Sequence, residues 1–237
     1  LKSTLGNHTN RLKGSDKEKL VFEDVLAHQS GLQAWIPFYA STIATDSTKS
    51  YWYSAIPAEG FNAVVPGMYL RSNIRDTMFA MLAKSPLKGT EYRYSDLGYY
   101  LFQEMLEERF NEPLDQWAAH TFFAPLGARR LTYNPLIVGF SKSEIVPTEE
   151  DGYWRNTTVH GTVHDMGAAM MNGVAGHAGL FANANDLAKM MQMYLNGGYY
   201  GGHRYFQEST VQLFSGCAFC ELQNRRGLGF DRKQLEE

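Results

Sequence analysis

The stretch YRYSDLGYYLFQEMLEE, residues 92–108, decides how this chain is read. Leu97, Leu101, Met105 and Glu108 recur once per turn, and Tyr100, Phe102 and Leu106 widen the apolar face. That period predicts an amphipathic helix over roughly 96–110. Ser95 is a residue type that caps a helix start, and Pro113 marks the break beyond it. Downstream, Leu114, Trp117, Ala118 and Phe122 predict a second helix over 114–124, ended by Pro125 and Gly127.

Working outward, Asn183 is placed to cap a helix over 184–196, and Gly197-Gly198 supply its stop. Leu187, Met190, Met191, Tyr194 and Leu195 fall at helical spacing there, and the methionines are expected to fill a core. Shorter helices are expected at 20–28, 73–84, 165–171 and 207–215. Strand signals are weak. The β-branched residues of 157–163 fit a short strand or hairpin arm, and 35–70, mixing Pro, Gly, Ser and aromatics, is expected to be a long loop. The fold class expected is mostly α, loop-rich, with a few short strands.

Composition bounds the function. A formal charge of −3 with both signs interspersed lacks the basic stripe that nucleic acid requires, so no nucleic-acid partner is expected. No apolar run approaches the roughly 18 residues of a membrane span, and no basic-then-apolar leader opens the sequence. Cys217 and Cys220 form a lone C-x-x-C. Without a second pair or a thioredoxin-like pattern, free thiols or a local disulfide are expected rather than a zinc or redox site.

The opening stretch also carries chemistry. Tyr94 stands just before a helix N-terminus, where unpaired N–H groups and the helix dipole create a positive field. That field predicts a lowered phenol pKa, suited to a base, with Asp96 two residues on able to bond a neighbouring ammonium or hydroxyl. The same residues also fit a buried tyrosine and a first-turn acid. A Ser-x-x-Lys pair on a helix would let lysine take the serine proton. The one match, Ser85 to Lys88, runs into Gly89 and reads as a turn, and Ser30 in Gln29-Ser30-Gly31 reads as a helix end. His160, His164 and His177 raise a zinc alternative. In a strand, however, residues four apart are separated by roughly 13 Å at ~3.3 Å per residue, too far to share one ion.

Several segments together resemble the serine β-lactamase and penicillin-binding-protein superfamily, on its class C, D-alanyl-D-alanine carboxypeptidase and esterase side. FEDVLAHQSGL at 22–32 is similar to the family's "(I)xDLLxHxSGL". Tyr94-Ser95-Asp96 sits where the family has Tyr-x-Asn, and Pro125-Leu126-Gly127 resembles its "PLG" turn. Gly176 to Phe181 followed by Asn183 to Ala188 resembles its "GGLxSTAxDLA" segment. Residues 147–181 are similar to a bacterial branch, some of whose members are fused to a glycoside hydrolase.

The resemblance implies an α+β fold, a helical region beside an antiparallel sheet. It makes residues 1–237 a single partial domain, the helical middle, with the Ser-x-x-Lys segment and the closing sheet strands expected to be absent. It implies acyl transfer through a serine acyl-enzyme, without a cofactor or metal, on a β-lactam, a D-alanyl cell-wall peptide or an ester. Tyr94 is then the proton-transfer tyrosine, and Asp96 takes the asparagine position, a departure that adds a negative charge. Trp35 lies in the loop where the family lines its cleft and is a candidate substrate contact. This chain by itself is expected to be inactive, to work in the periplasm or outside the cell, and to self-associate through apolar surface left uncovered. Two rivals stand beside this: a non-catalytic cell-wall binding or assembly module, and a zinc hydrolase using His160, His164 and His177.

Overall fold

The computed structural model describes residues 1–233. Its contacts divide the chain into two compact units: one is built from Leu1–Trp35, Ala83–Arg130 and the chain from Ala182 onward, the other from Ile36–Leu82 and Leu131–Phe181. Mostly helix with small sheets only is the architecture observed.

The first unit is helical. Its principal helix is Leu97–Phe110, within a residue of the expected bounds. Ser95 performs the capping, its hydroxyl accepting from the Leu97 N–H at 3.2 Å and donating to the Gln33 carbonyl at 2.6 Å. The helix ends at Asn111, whose left-handed backbone (φ 51°) suits asparagine. Leu97, Tyr100, Leu101 and Met105 are buried. At Gly98 the helix backbone meets the short helix Phe22–Leu26: a Cβ there would lie 2.3 Å from Val25 Cγ1, so only glycine permits this approach. The segment expected as one helix over 114–124 is α-helical at Leu114–Ala118 and then widens to a π-turn over Ala119–Phe123.

Helix Ala184–Leu195 begins where Asn183 accepts from the Asp186 N–H at 2.8 Å. One expectation about it is corrected. Buried Asp186 accepts from the Arg130 N–H at 2.6 Å and from Lys189 at 2.7 Å, and Met193, two turns on, is fully enclosed; these fix the inward face. Leu187, Met191 and Leu195, spaced by four, therefore form a neighbouring stripe exposed to solvent rather than core.

In the second unit, 35–70 is not the long loop expected. It holds helices Phe38–Thr42 and Asp46–Trp52 and a three-stranded antiparallel sheet in which Met68–Arg71 lies between Tyr53–Ser54 and Phe61–Val65. Pro66-Gly67, which punctuates the sequence like a loop, is the hairpin turn, with Gly67 at φ 81°. The strands are two to five residues long, too short for alternation to register. A cleft of about 500 Å³ opens beside this hairpin, lined by Tyr69, Asn134, Ile137, Thr162 and their neighbours.

The 157–163 expectation is met by the hairpin Glu149–Asp151 with Thr157–Val159. Its connection is locked by Arg155, whose side chain is fully enclosed. The guanidinium donates to Asp151, to Glu149 at 2.8 Å and to the carbonyls of Val163 and His164, both at 2.8 Å. Burial by itself raises the Asp151 pKa, but the Trp154 N–H, the Arg155 guanidinium and the N–H groups of Tyr153 and Arg155 reverse this and bring it to about 2.

Candidate functional site

The site in the first unit starts from the way helix Phe22–Leu26 ends. The Gln29 N–H returns to the Asp24 carbonyl at 2.7 Å and the His28 N–H to the Val25 carbonyl at 3.1 Å, a pattern that requires a left-handed residue at position 28. His28 adopts it, at φ 58°. This turn drives the imidazole inward, where it is 3% exposed.

There the ring organises the second segment. His28 Nδ1 accepts the Ser95 N–H at 3.1 Å, which places the ring proton on Nε2. Burial, and then the charge of Arg226, lower the His28 pKa to about 4, so the ring is neutral at physiological pH. The Arg93 N–H donates to the His28 carbonyl and the Asp96 N–H to the Ala34 carbonyl, both at 2.9 Å. Residues 28–34 and 92–96 are thereby fastened along their length.

Tyr94 is held on this clamp, its ring 4.7 Å from the His28 ring, yet it stays 49% exposed. The lowered pKa expected for it is corrected. Partial burial raises the phenol pKa first, and the charge of Asp96 and the hydrogen bond to Asp96 raise it further, while Arg226 acts against them. Burial, and then the Asp96 carboxylate, thus set the direction, opposite to the one expected from the helix N-terminus. Trp35, 60% exposed, follows directly on Ala34, the residue bonded to Asp96.

Sequence reasoning missed a third segment. Buried Asn224 donates to the Ala27 carbonyl at 2.9 Å and to Gln29 Oε1 at 2.8 Å, and accepts the Arg226 N–H at 3.0 Å. Arg226 then reaches across the tyrosines: its Nε donates to the Tyr92 hydroxyl at 3.1 Å and its guanidinium carbon lies 5.3 Å from the centre of the Tyr94 ring. No local pattern in Asn224-Arg225-Arg226 announces a partner so far away in sequence.

Other candidates resolve differently. Ser85 follows the end of helix Ile74–Lys84 and Lys88 N–H is bonded to the Gly31 carbonyl, so the Ser85–Lys88 pair has no helix to align it, as expected. Enclosed Lys17 donates to the carbonyls of Ala83 and Ser85 at that helix end. Cys217 and Cys220 form a local disulfide. The zinc alternative finds no gathered ligands: His160 Nε2 bonds the Lys142 and Ile145 carbonyls at 2.8 and 2.7 Å, and His177 bonds Asp165 at 2.8 Å. His164 sits exposed 3.8 Å from Glu149. Among the described residues, no group of three or more histidine, cysteine or acidic side chains is arranged to hold a metal.

The family model described as Beta-lactamase matches residues 1–235. This chain belongs to the β-lactamase family. This β-lactamase-family chain is 35% identical over 218 residues to a Bacillus subtilis (strain 168) protein named N-acetylmuramyl-L-alanine amidase, covering 86% of this chain and 44% of that one. It is 33% identical over 220 residues to a candidate D-alanyl-D-alanine carboxypeptidase of Salmonella enteritidis PT4, covering 87% and 45%. The structure of an octameric penicillin-binding protein homologue from Pyrococcus abyssi shares the fold, with TM-score 0.57, 14% identity and coverage of 92% and 43%. The chain spans about half the length of the curated relatives it matches.

Proposed function

We propose that this chain is the tyrosine-bearing part of a serine hydrolase that opens an amide or ester carbonyl through an acyl-enzyme. Its substrate is a cell-wall peptide, with β-lactams and simple esters as related acyl donors. The printed names of the two curated relatives support a cell-wall substrate. The observation that carries the proposal is Tyr94: half exposed, fastened at the mouth of Leu97–Phe110 by the His28–Ser95 bond, with its hydroxyl on Asp96.

The raised pKa gives Tyr94 a direction of work. The resting phenol is neutral, so its first service is to donate a proton to the leaving nitrogen, and it takes one back when water or another acceptor attacks the acyl-enzyme. Asp96 holds that proton on the phenol until it is needed. Trp35 offers an exposed indole face on the same loop for the substrate's apolar portion. Among the described residues, Ser85 and Lys88, the one Ser-x-x-Lys match, have no helix to align them, which supports an acylated serine elsewhere in the intact protein and residues 1–237 inactive on their own. The Cys217–Cys220 disulfide supports an oxidising location outside the cytoplasm.

Two measurements test this. Tyr94→Phe in the intact protein is expected to lower kcat for a D-alanyl-D-alanine peptide by about 10²- to 10⁴-fold, with KM little changed; an unchanged kcat refutes the role. A fluorescent penicillin is expected to label the intact protein and not residues 1–237, and labelling of these residues alone overturns the assignment of the serine.

A further inference from the structure

Arg226 is held in place from several directions. Its backbone N–H is fixed by the Asn224 side chain, its carbonyl accepts the Ala218 N–H at 3.1 Å, and its Nε donates to the Tyr92 hydroxyl at 3.1 Å. Asp231 lies 3.7 Å from the guanidinium and also pairs with Arg225 at 2.9 Å. With its stem anchored and most of the side chain covered, the cation has little freedom to leave the tyrosine pair.

We propose that Arg226 is a positioning residue for Tyr94, its guanidinium lying across the tyrosine ring and favouring the deprotonated phenol against the carboxylate of Asp96. This rests on Tyr94 being the proton-transfer group, and it adds the device that lets a tyrosine kept neutral by burial and Asp96 give up its proton during the reaction. A cation over a ring face stabilises negative charge on that ring, and it is worth more where the pair is partly desolvated. Among the described residues, the charged and titratable groups that act on Tyr94 include Asp96, Tyr99, the neutral His28 ring and Arg226, and those facing Arg226 include Tyr92, Tyr94, Tyr99 and Asp231. Arg226 is the one cation among those named, and it acts on Tyr94, Tyr99 and His28 alike.

The test is a ¹³C-tyrosine NMR titration of this chain, with the Tyr94 signal assigned by Tyr94→Phe. Arg226→Gln is expected to move the Tyr94 midpoint to higher pH and Arg226→Lys to restore most of the change, while Tyr53, in the other unit, stays in place. Because the Tyr94 phenol is held above its ordinary pKa, the same pair is measured on an Asp96→Asn background, where one of the raising causes is removed. A Tyr94 midpoint that is the same with and without Arg226 on both backgrounds, in folded variants, overturns the proposal. The titration reads the Arg226–Tyr94 coupling without turnover, so its failure is distinct from a failure of the penicillin and kcat experiments.

Discussion

Acidification should loosen the site before it loosens anything else, and His28 sets where. In the unfolded chain the imidazole titrates near 6.5; in the fold its pKa is about 4, because it is buried and faces Arg226. The folded value is depressed, so the folded state binds fewer protons between these limits and stability rises with pH across them. The contribution is fully present above pH 6.5, falls as pH drops, and is lost once pH passes through about 4. The displacement corresponds to about 3 kcal/mol, a sizeable share of a domain's total stability. Protonation of Nδ1 also removes the acceptor for the Ser95 N–H, so the clamp beneath Tyr94 opens in the same window. Urea unfolding measured from pH 7 to 4 should show the midpoint falling, and ¹⁵N NMR should show His28 neutral as the Nε2–H tautomer at pH 6. His28→Asn, which tolerates the left-handed backbone and does not titrate, should be less stable at pH 7 but flat across that interval. A wild-type stability equally flat between pH 6.5 and 4, or a His28 signal titrating near 6.5 in the folded protein, refutes the reasoning.

The Arg155 cluster gives a separate, more acidic transition. Asp151 is held at about 2 against an ordinary 3.8, so its contribution is present above pH 3.8 and lost as pH falls through about 2. Asp151→Asn should cost about 3–5 kcal/mol at pH 7 by leaving a buried guanidinium short of a counter-charge, and should remove the slope below pH 4; denaturant titration followed by Trp154 fluorescence measures both. Gly98→Ala gains about 1 kcal/mol of helix propensity but drives a Cβ to 2.3 Å from Val25, a clash expected to cost about 1–3 kcal/mol. Net destabilisation is therefore expected in thermal melts, with Val25→Ala in the same chain recovering part of it; a more stable Gly98→Ala contradicts the packing described.

The helices were legible because their apolar residues repeat over several turns and their ends carry strong chemistry: Ser95 and Asn183 at the starts, Pro113 and Gly197 beyond the stops. The hairpin of Phe61–Val65 and Met68–Arg71 was hidden because its strands are shorter than any readable period and its Pro-Gly turn looks like the interior of a loop. Arg155 reads as a surface charge until Asp151 and Glu149 fold around it. In the site, Tyr94 and Asp96 announced themselves by their place before a helix. The sign of the effect on Tyr94 did not, since it depends first on how far the fold buries the phenol and then on the Asp96 carboxylate. Arg226 joins Tyr92 across 134 residues, a distance over which sequence spacing says nothing.

The bond from Asn224 to the Ala27 carbonyl closes a span of 197 residues. At about 5–20 residues per second, a ribosome takes roughly 10–40 s to travel that far. For that interval the Ala27 carbonyl and the Gln29 amide oxygen wait for the Asn224 side chain that will bond them. The turn at residues 27–29 therefore reaches its final hydrogen bonding only once residue 224 has been made.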